Sequence, residues 1–136
     1  MIIISTQCFP PTLGGIENLV YNIALHLARA GREVTVFADG RETAEEAAFD
    51  AQQIFSIKRF TGFKPWRRRK KARAIVKLAR LDRITGVITD SWKSLEMLDL
   101  PSLSGVLCLA HGRNYQQNPP RQRRSVSAGR SPGRAQ

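Results

Sequence analysis

Residues 1–40 decide the fold, and they read MIIISTQCFPPTLGGIENLVYNIALHLARAGREVTVFADG. Residues 2–4 form a β-branched run typical of a buried parallel strand, and Gly14-Gly15 permit a tight turn with positive φ or a close backbone approach. Apolar residues then recur from 16 to 27 at the spacing of an amphipathic helix, which Gly31 ends. Residues 34–38 predict a second strand. This order of elements is a βαβ unit.

The pattern continues to residue 112 and predicts an α/β domain, a Rossmann-like open parallel sheet with flanking helices. Residues 42–50 are either a short helix or a mobile loop. Cys8 and Cys108 are predicted to be small core residues with reduced thiols, because two cysteines provide neither a disulfide framework nor a metal cluster. The remaining predicted elements are strands at 54–59, 87–89 and 105–110, with helices at 65–81 and 93–98. The run at 105–110 is continuously apolar, so we expect this strand to be buried.

The composition changes after Gly112. Residues 113–136 contain six arginines and few apolar residues, too few to offset the entropy of ordering. We expect a disordered basic tail, rich in Arg, Pro, Gln and Ser, after a domain at 1–112. One hypothesis is that this tail is an out-of-frame or truncated end of a longer parent protein.

The charge of the 136-residue chain is uneven. Its formal net charge is +11, which on its own favours a nucleic-acid partner. However, nine of its 22 basic residues lie at 64–80 and six lie at 113–136, whereas the other seven accompany all 11 acidic residues. The basicity therefore belongs to one helix and one tail, and it does not describe the domain as a whole.

The Gly14-Gly15 loop is the first candidate site. It follows a strand and opens a helix, so its backbone N–H groups and the helix dipole can hold an anion such as a diphosphate. The alternative is that the two glycines only make a tight βα turn. The sequence contains neither G-x-G-x-x-G nor G-x-x-x-x-G-K-[ST], which argues against a standard NAD site and a P-loop.

Two motifs add a family resemblance. The segment Phe9-Pro-Pro-Thr-Leu-Gly-Gly-Ile-Glu17 and the later Gly31 with Glu33-Val-Thr-Val36 resemble the opening of glycosyltransferase family 4, with its patterns P-x-x-G-G-x-E and R/K-G-x-E/H-V-x-V. Leu109-Ala-His-Gly112 resembles the end of the family's fifth strand. The resemblance is good over the first 40 residues and looser to Gly112, and no motif after Gly112 matches.

The resemblance implies a GT-B architecture of two Rossmann-like domains, of which this chain is the N-terminal, acceptor-side one. Gly14 and Gly15 would face the diphosphate of a nucleotide-sugar donor and leave room for the acceptor. His111 would act as the catalytic-site histidine that contacts the donor sugar. Family members retain the anomeric configuration and need no metal or other cofactor. Because no segment here resembles the C-terminal donor-binding domain, the resemblance implies that the isolated chain is inactive.

The parent reaction implied by the resemblance transfers a hexose to a glycan or lipid-linked acceptor in envelope polysaccharide assembly. The expected location is cytoplasmic, with a peripheral position at the inner face of the membrane. Asp90 and Trp92 follow the fourth predicted strand, so they are candidates for the acceptor cleft, and capping by Asp90 or Ser91 is the alternative.

The basic helix has two interpretations. It is either a solvated charged face or a patch that attaches to anionic lipid headgroups. The patch residues would be Trp66, Arg67, Arg68, Arg69, Lys70, Lys71, Arg73 and Lys77.

Two other functions compete with the transferase. A small basic protein could bind nucleic acid through 64–80 and the tail. Only Trp66 lies beside the basic residues as an aromatic side chain, so a stacking platform is not indicated, which argues against nucleic acid as a partner. The other is a noncatalytic Rossmann-like binding module.

Overall fold

The computed structural model describes residues 1–81, 83–98, 103 and 105–109. Its five strands form one sheet in the order β3-β2-β1-β4-β5, and every neighbouring pair is parallel. The elements are β1 (Ile2–Ser5), α1 (Gly15–Arg29), β2 (Val34–Asp39), α2 (Ala44–Ala51), β3 (Ser56–Phe60), α3 (Lys64–Arg80), β4 (Gly86–Thr89), α4 (Trp92–Leu95) and β5 (Val106–Cys108). The Rossmann-like fold predicted from the sequence is confirmed.

The central strand β1 is buried on both faces, which explains why its sequence is apolar without alternation. Ile3 is fully buried in a core with Phe37 and Ile75, on the α3 side of the sheet. Ile4 lies on the opposite face with Val20 of α1. Strands β2 and β3 are added on one side of β1, and strands β4 and β5 are added on the other side, so the strand order reverses at β1.

The helix boundaries follow local sequence signals. Gly31 adopts φ 77° directly after the end of α1, a backbone conformation that favours glycine. At α2, the Thr43 side chain accepts a hydrogen bond from the Glu46 N–H, and the Thr43 N–H donates one to the Glu46 carboxylate. This capping box settles the alternative at 42–50 in favour of a helix. None of the helices in the described part of the chain is long and apolar enough to cross a membrane.

The strand predicted at 54–59 begins at Ser56 in the structure, and Ile54 precedes it and is exposed. Two expectations about burial are wrong. The run at 105–110 does not form a buried strand, since Leu107 of β5 is 56% exposed. Among the strands of the described residues, β5 lies at the edge of the sheet and pairs only with β4, so its apolar sequence does not lead to burial. Cys8 is exposed in the loop after β1, whereas Cys108 is half-buried, and both thiols are free. The predicted tail at 113–136 and His111 lie outside the described residues.

Candidate functional site

The carboxyl ends of β1, β2 and β4 meet at one edge of the sheet, beside the point where the strand order reverses. Open α/β sheets bind ligands at this position. The loop from Thr6 to Gly14 leaves β1 here and leads into α1. The described edge is therefore built around the predicted glycine loop.

The two glycines serve different purposes. Gly14 has φ 172°, which is extended backbone, so the positive φ offered by the sequence is not used. A Cβ built on Gly14 would lie within 2.1 Å of Glu17 Oε2, whereas one built on Gly15 would meet nothing within 4 Å. The structure thus shows a close approach at Gly14 and open space at Gly15. Within the part of the chain that the structure describes, no side chain caps the first turn of α1.

Asp90, directly after β4, binds the first residues of this loop. The residue is only 4% exposed, and its Oδ2 accepts hydrogen bonds from Thr6 Oγ1 at 2.6 Å and from the Gln7 N–H at 3.0 Å. The sequence placed Asp90 in an acceptor cleft, but in the structure it is a buried residue that fixes the start of the β1–α1 loop. Ser91, its neighbour, caps α4 by accepting from the Lys93 N–H.

A buried lysine holds the same loop from the other side of β1. Lys71 is 3% exposed, and its Nζ donates to the Thr6 carbonyl at 2.8 Å and lies 2.5 Å from Asp39 Oδ1. Arg67 Nε lies 3.4 Å from Asp39 Oδ2. Asp39 ends β2, so this ion cluster joins α3 to the carboxyl ends of two strands.

The cluster corrects the predicted membrane patch. Lys71 is buried and Arg67 is largely covered, and both face Asp39, so neither belongs to an exposed basic surface. Sequence reasoning missed this role. The sequence does contain one indication of it: Lys71 precedes the apolar Ile75 by four residues, so the two side chains lie on the same face of α3, which is buried.

A second set of contacts that the sequence did not reveal centres on Arg59. Its Nε and Nη2 bind both oxygens of Asp50, at 2.9 Å and 2.7 Å, and its Nη2 also donates to the Pro10 carbonyl. Glu46 lies 3.6 Å from Arg59 Nη1. This bidentate pair anchors the loop after β1 to β3 and α2.

Three carboxylates influence the Cys8 thiol at this edge of the sheet. Although the Cys8 residue is exposed overall, neighbouring protein atoms partly desolvate its thiol. This desolvation, followed by the charges of Glu17, Asp90 and Asp39, raises the pKa of the Cys8 thiol, and a hydrogen bond from the thiol to Glu17 acts in the same direction. The thiol therefore stays neutral at physiological pH. Cys8 also lines a polar cavity of about 200 Å³ with Arg41 and Arg67, beside the glycine loop.

The other predicted residues fall into separate places. Trp92 is half-buried at the start of α4, with Lys93 Nζ 5.8 Å from the centre of its ring. Trp66 is 63% exposed near the start of α3, and Arg68 is half-buried. The remaining patch residues are exposed along α3, namely Arg69, Lys70, Arg73 and Lys77. In the described part of the chain, no cluster of three His, Cys, Asp or Glu side chains is placed to bind a metal.

Comparison with solved structures gives a similar fold. A crystal structure of a glycosyltransferase from Rickettsia africae ESF-5 superposes with a TM-score of 0.55 at 13% sequence identity, covering 85% of this chain. The chain spans 32% of the length of that glycosyltransferase. No protein in the curated set matches the sequence significantly.

The sequence also matches a family profile, that of Glycosyltransferase Family 4, over residues 13–132. The match begins just before the glycine pair and continues beyond Gly112. It therefore includes residues 113–132, where no family motif is recognisable in the sequence. The expectation that the similarity ends at Gly112 is wrong. Because the match covers most of the sequence, the chain belongs to glycosyltransferase family 4.

Proposed function

We propose that this chain forms the N-terminal, acceptor-side part of a retaining glycosyltransferase of GT-B architecture. The whole enzyme transfers a hexose from a nucleotide sugar to a glycan or lipid-linked acceptor. Family membership supports the transferase class. The observation that carries the proposal is the glycine loop, which stands at the carboxyl edge of β1 beside the reversal of strand order.

The start of α1 suits a donor diphosphate. Its first N–H groups have no side-chain cap, and the helix dipole favours an anion there. The space at Gly15 lets phosphate oxygens approach the backbone closely, since even a methyl group would meet nothing within 4 Å. This terminus would stabilise the charge that develops on the leaving diphosphate, so we propose that the reaction needs no metal.

Glu17 lies against the other glycine of the pair, and its side chain has to move when the donor binds. Its carboxylate lies beside Gly14 and accepts a hydrogen bond from the Cys8 thiol, so an arriving diphosphate meets a like charge. Rotation of the flexible Glu17 side chain opens the helix terminus. The neutral Cys8 thiol then faces the anion without adding to the repulsion.

A binding experiment tests the donor site on the chain as it exists. We expect inorganic pyrophosphate and UDP-, GDP- or ADP-glucose to shift the amide NMR signals of Gly15 and Ile16 in the ¹⁵N-labelled chain. Gly15→Val should weaken this binding at least about tenfold, because the side chain fills the open space. The matched control is Ala44→Val, which makes an exposed first residue of α2 β-branched and should change the affinity by less than about twofold.

Equal affinity of Gly15→Val and the unchanged chain would contradict the proposed donor site. Added EDTA should leave the binding unchanged if no metal is needed. The isolated chain should neither hydrolyse nor transfer sugar. Fusion to a donor-binding C-terminal domain of the family should give a product whose anomeric configuration, read by NMR, matches that of the donor. An inverted product would refute the retaining mechanism.

We also propose peripheral attachment of the enzyme to the inner face of the membrane, through the exposed start of α3. Phe63 and Trp66 are 72% and 63% exposed, and exposed Arg69 and Lys70 follow them. Each basic residue near an anionic surface adds about 1 kcal/mol. Phosphatidylglycerol vesicles should bind the chain in a salt-sensitive manner, and Trp66→Ser should weaken that binding. Equal binding by neutral vesicles would contradict the proposal.

A further inference from the structure

A groove of about 770 Å³ runs along α3, away from the glycine loop. This volume is in the range of small-molecule sites, roughly 300–1,000 Å³. Leu81 and Met97 are 56% and 42% exposed there, so water now covers apolar surface. The apolar lining consists of Ala72, Val76, Leu81 and Met97.

The rim of the groove is entirely cationic. Its charged lining residues are Arg69, Arg73, Lys77 and Arg80, and no carboxylate belongs to the lining within the described residues. None of these four side chains takes part in an ion pair in the described part of the chain. An apolar floor under uncompensated positive charge is complementary to a ligand that is both apolar and anionic.

A small recess extends the groove toward the carboxyl edge of the sheet. It shares Ala72 and Met97 with the groove and reaches Ser5, with Arg68 and Lys93 in its lining. Its volume of about 10 Å³ holds a single oxygen atom. Arg68 belongs to this lining, and its Nε is buried without a hydrogen-bond acceptor among the residues described. One oxygen of a phosphate at the mouth of the recess would supply that acceptor.

We propose that this groove binds one molecule of an anionic amphiphile, a lipid monophosphate or a lipid-linked phosphate. The chain of the ligand lies on Val76 and Met97, and the phosphate lies toward Arg68 and Lys93. The inference rests on the proposed function in one respect, because it makes the ligand the acceptor of the sugar. The head group is then directed to the edge at which the donor site is proposed.

Geranyl monophosphate, used below its micelle concentration, is the probe. We expect saturable NMR shifts of the Met97 and Val76 methyl groups in the full chain. Lys77→Gln should weaken binding about fivefold, the effect of one charge worth about 1 kcal/mol. Lys70→Gln is the matched control, because Lys70 is an exposed lysine of the same helix that does not line the groove. It should change the affinity by less than about twofold.

Several results would overturn the proposal. They are the absence of saturable methyl shifts, equal weakening by Lys70→Gln and Lys77→Gln, and an affinity for inorganic phosphate equal to that for geranyl monophosphate. Methyl shifts with phosphatidylglycerol vesicles alone would assign the helix to a bilayer surface instead. The assay contains no sugar donor, so Gly15→Val should leave it unchanged. Failure of the groove is thereby distinguished from failure of the donor site.

Discussion

Replacing Lys71 with Met tests whether the buried ion cluster holds the edge of the sheet together. The substitution keeps most of the aliphatic stem, but it removes the cation 2.5 Å from Asp39 Oδ1 and the donor 2.8 Å from the Thr6 carbonyl. Breaking a buried pair costs about 3–5 kcal/mol. Arg67 stays 3.4 Å from Asp39 and offsets part of this loss, so we expect a decrease of about 3 kcal/mol in the free energy of unfolding.

Urea unfolding followed by circular dichroism measures this loss. With a slope of about 1.5 kcal/mol per molar urea, the midpoint should fall by about 2 M. Lys70→Met makes the same chemical change at an exposed neighbour and should stay within about 0.5 kcal/mol of the unchanged chain. Asp39→Asn added to Lys71→Met removes the uncompensated charge and should restore part of the stability. Equal stabilities of the Lys70 and Lys71 variants, or additive losses in the double variant, would refute the reasoning.

Two further predictions concern pH. Glu17→Gln removes a charge that raises the pKa of Cys8, so iodoacetamide should alkylate Cys8 faster at pH 8 in the variant. Both chains carry Cys108→Ser, so that only Cys8 reacts. An unchanged rate would contradict the Glu17 contact. Burial alone would raise the pKa of Glu46, but hydrogen bonds from the N–H groups of Arg41 and Thr43 outweigh it and lower that pKa. Ionised Glu46 therefore stabilises the fold at pH values above its ordinary pKa. At pH 7 the Glu46→Gln variant should be less stable than the unchanged chain, and this difference should vanish as the pH falls through the lowered pKa of Glu46. A difference in unfolding midpoints that does not depend on pH would argue against these bonds.

The sequence predicts those parts of the fold that depend on neighbouring residues. Ile3 and Ile4 are buried on opposite faces of the sheet, and the helix that follows the glycines ends just before Gly31, as the local pattern indicates. The burial of β5 could not be predicted in the same way. Its apolar residues resemble those of β1, but exposure depends on the position of a strand in the sheet, and β5 lies at the edge.

In the candidate site, too, the features that depend on neighbouring residues could be predicted, whereas the contacts between distant residues could not. Gly14 and Gly15 are recognisable because a glycine pair between a strand and a helix has a local meaning. The bond from Lys71 to the Thr6 carbonyl and the bond from Arg59 to the Pro10 carbonyl join residues that are 65 and 49 positions apart. No spacing in the sequence identifies such partners, so the sequence alone places Lys71 either in a membrane-surface patch or on a solvated face.

The charges of α3 therefore have two different surroundings, and helical geometry is the reason. Lys71 shares a face with Ile75, four residues on, and this face turns toward Asp39 and the core. Arg69, Arg73 and Arg80 follow another stripe of the helix and line the groove, where none of the lining residues that the structure describes is a carboxylate. A variant that neutralises the whole basic segment would lose the ion cluster and the groove together, and impaired binding would then be indistinguishable from impaired folding. Single substitutions separate them, because Lys71→Met should lower stability while Lys77→Gln should lower only the affinity for an anionic amphiphile.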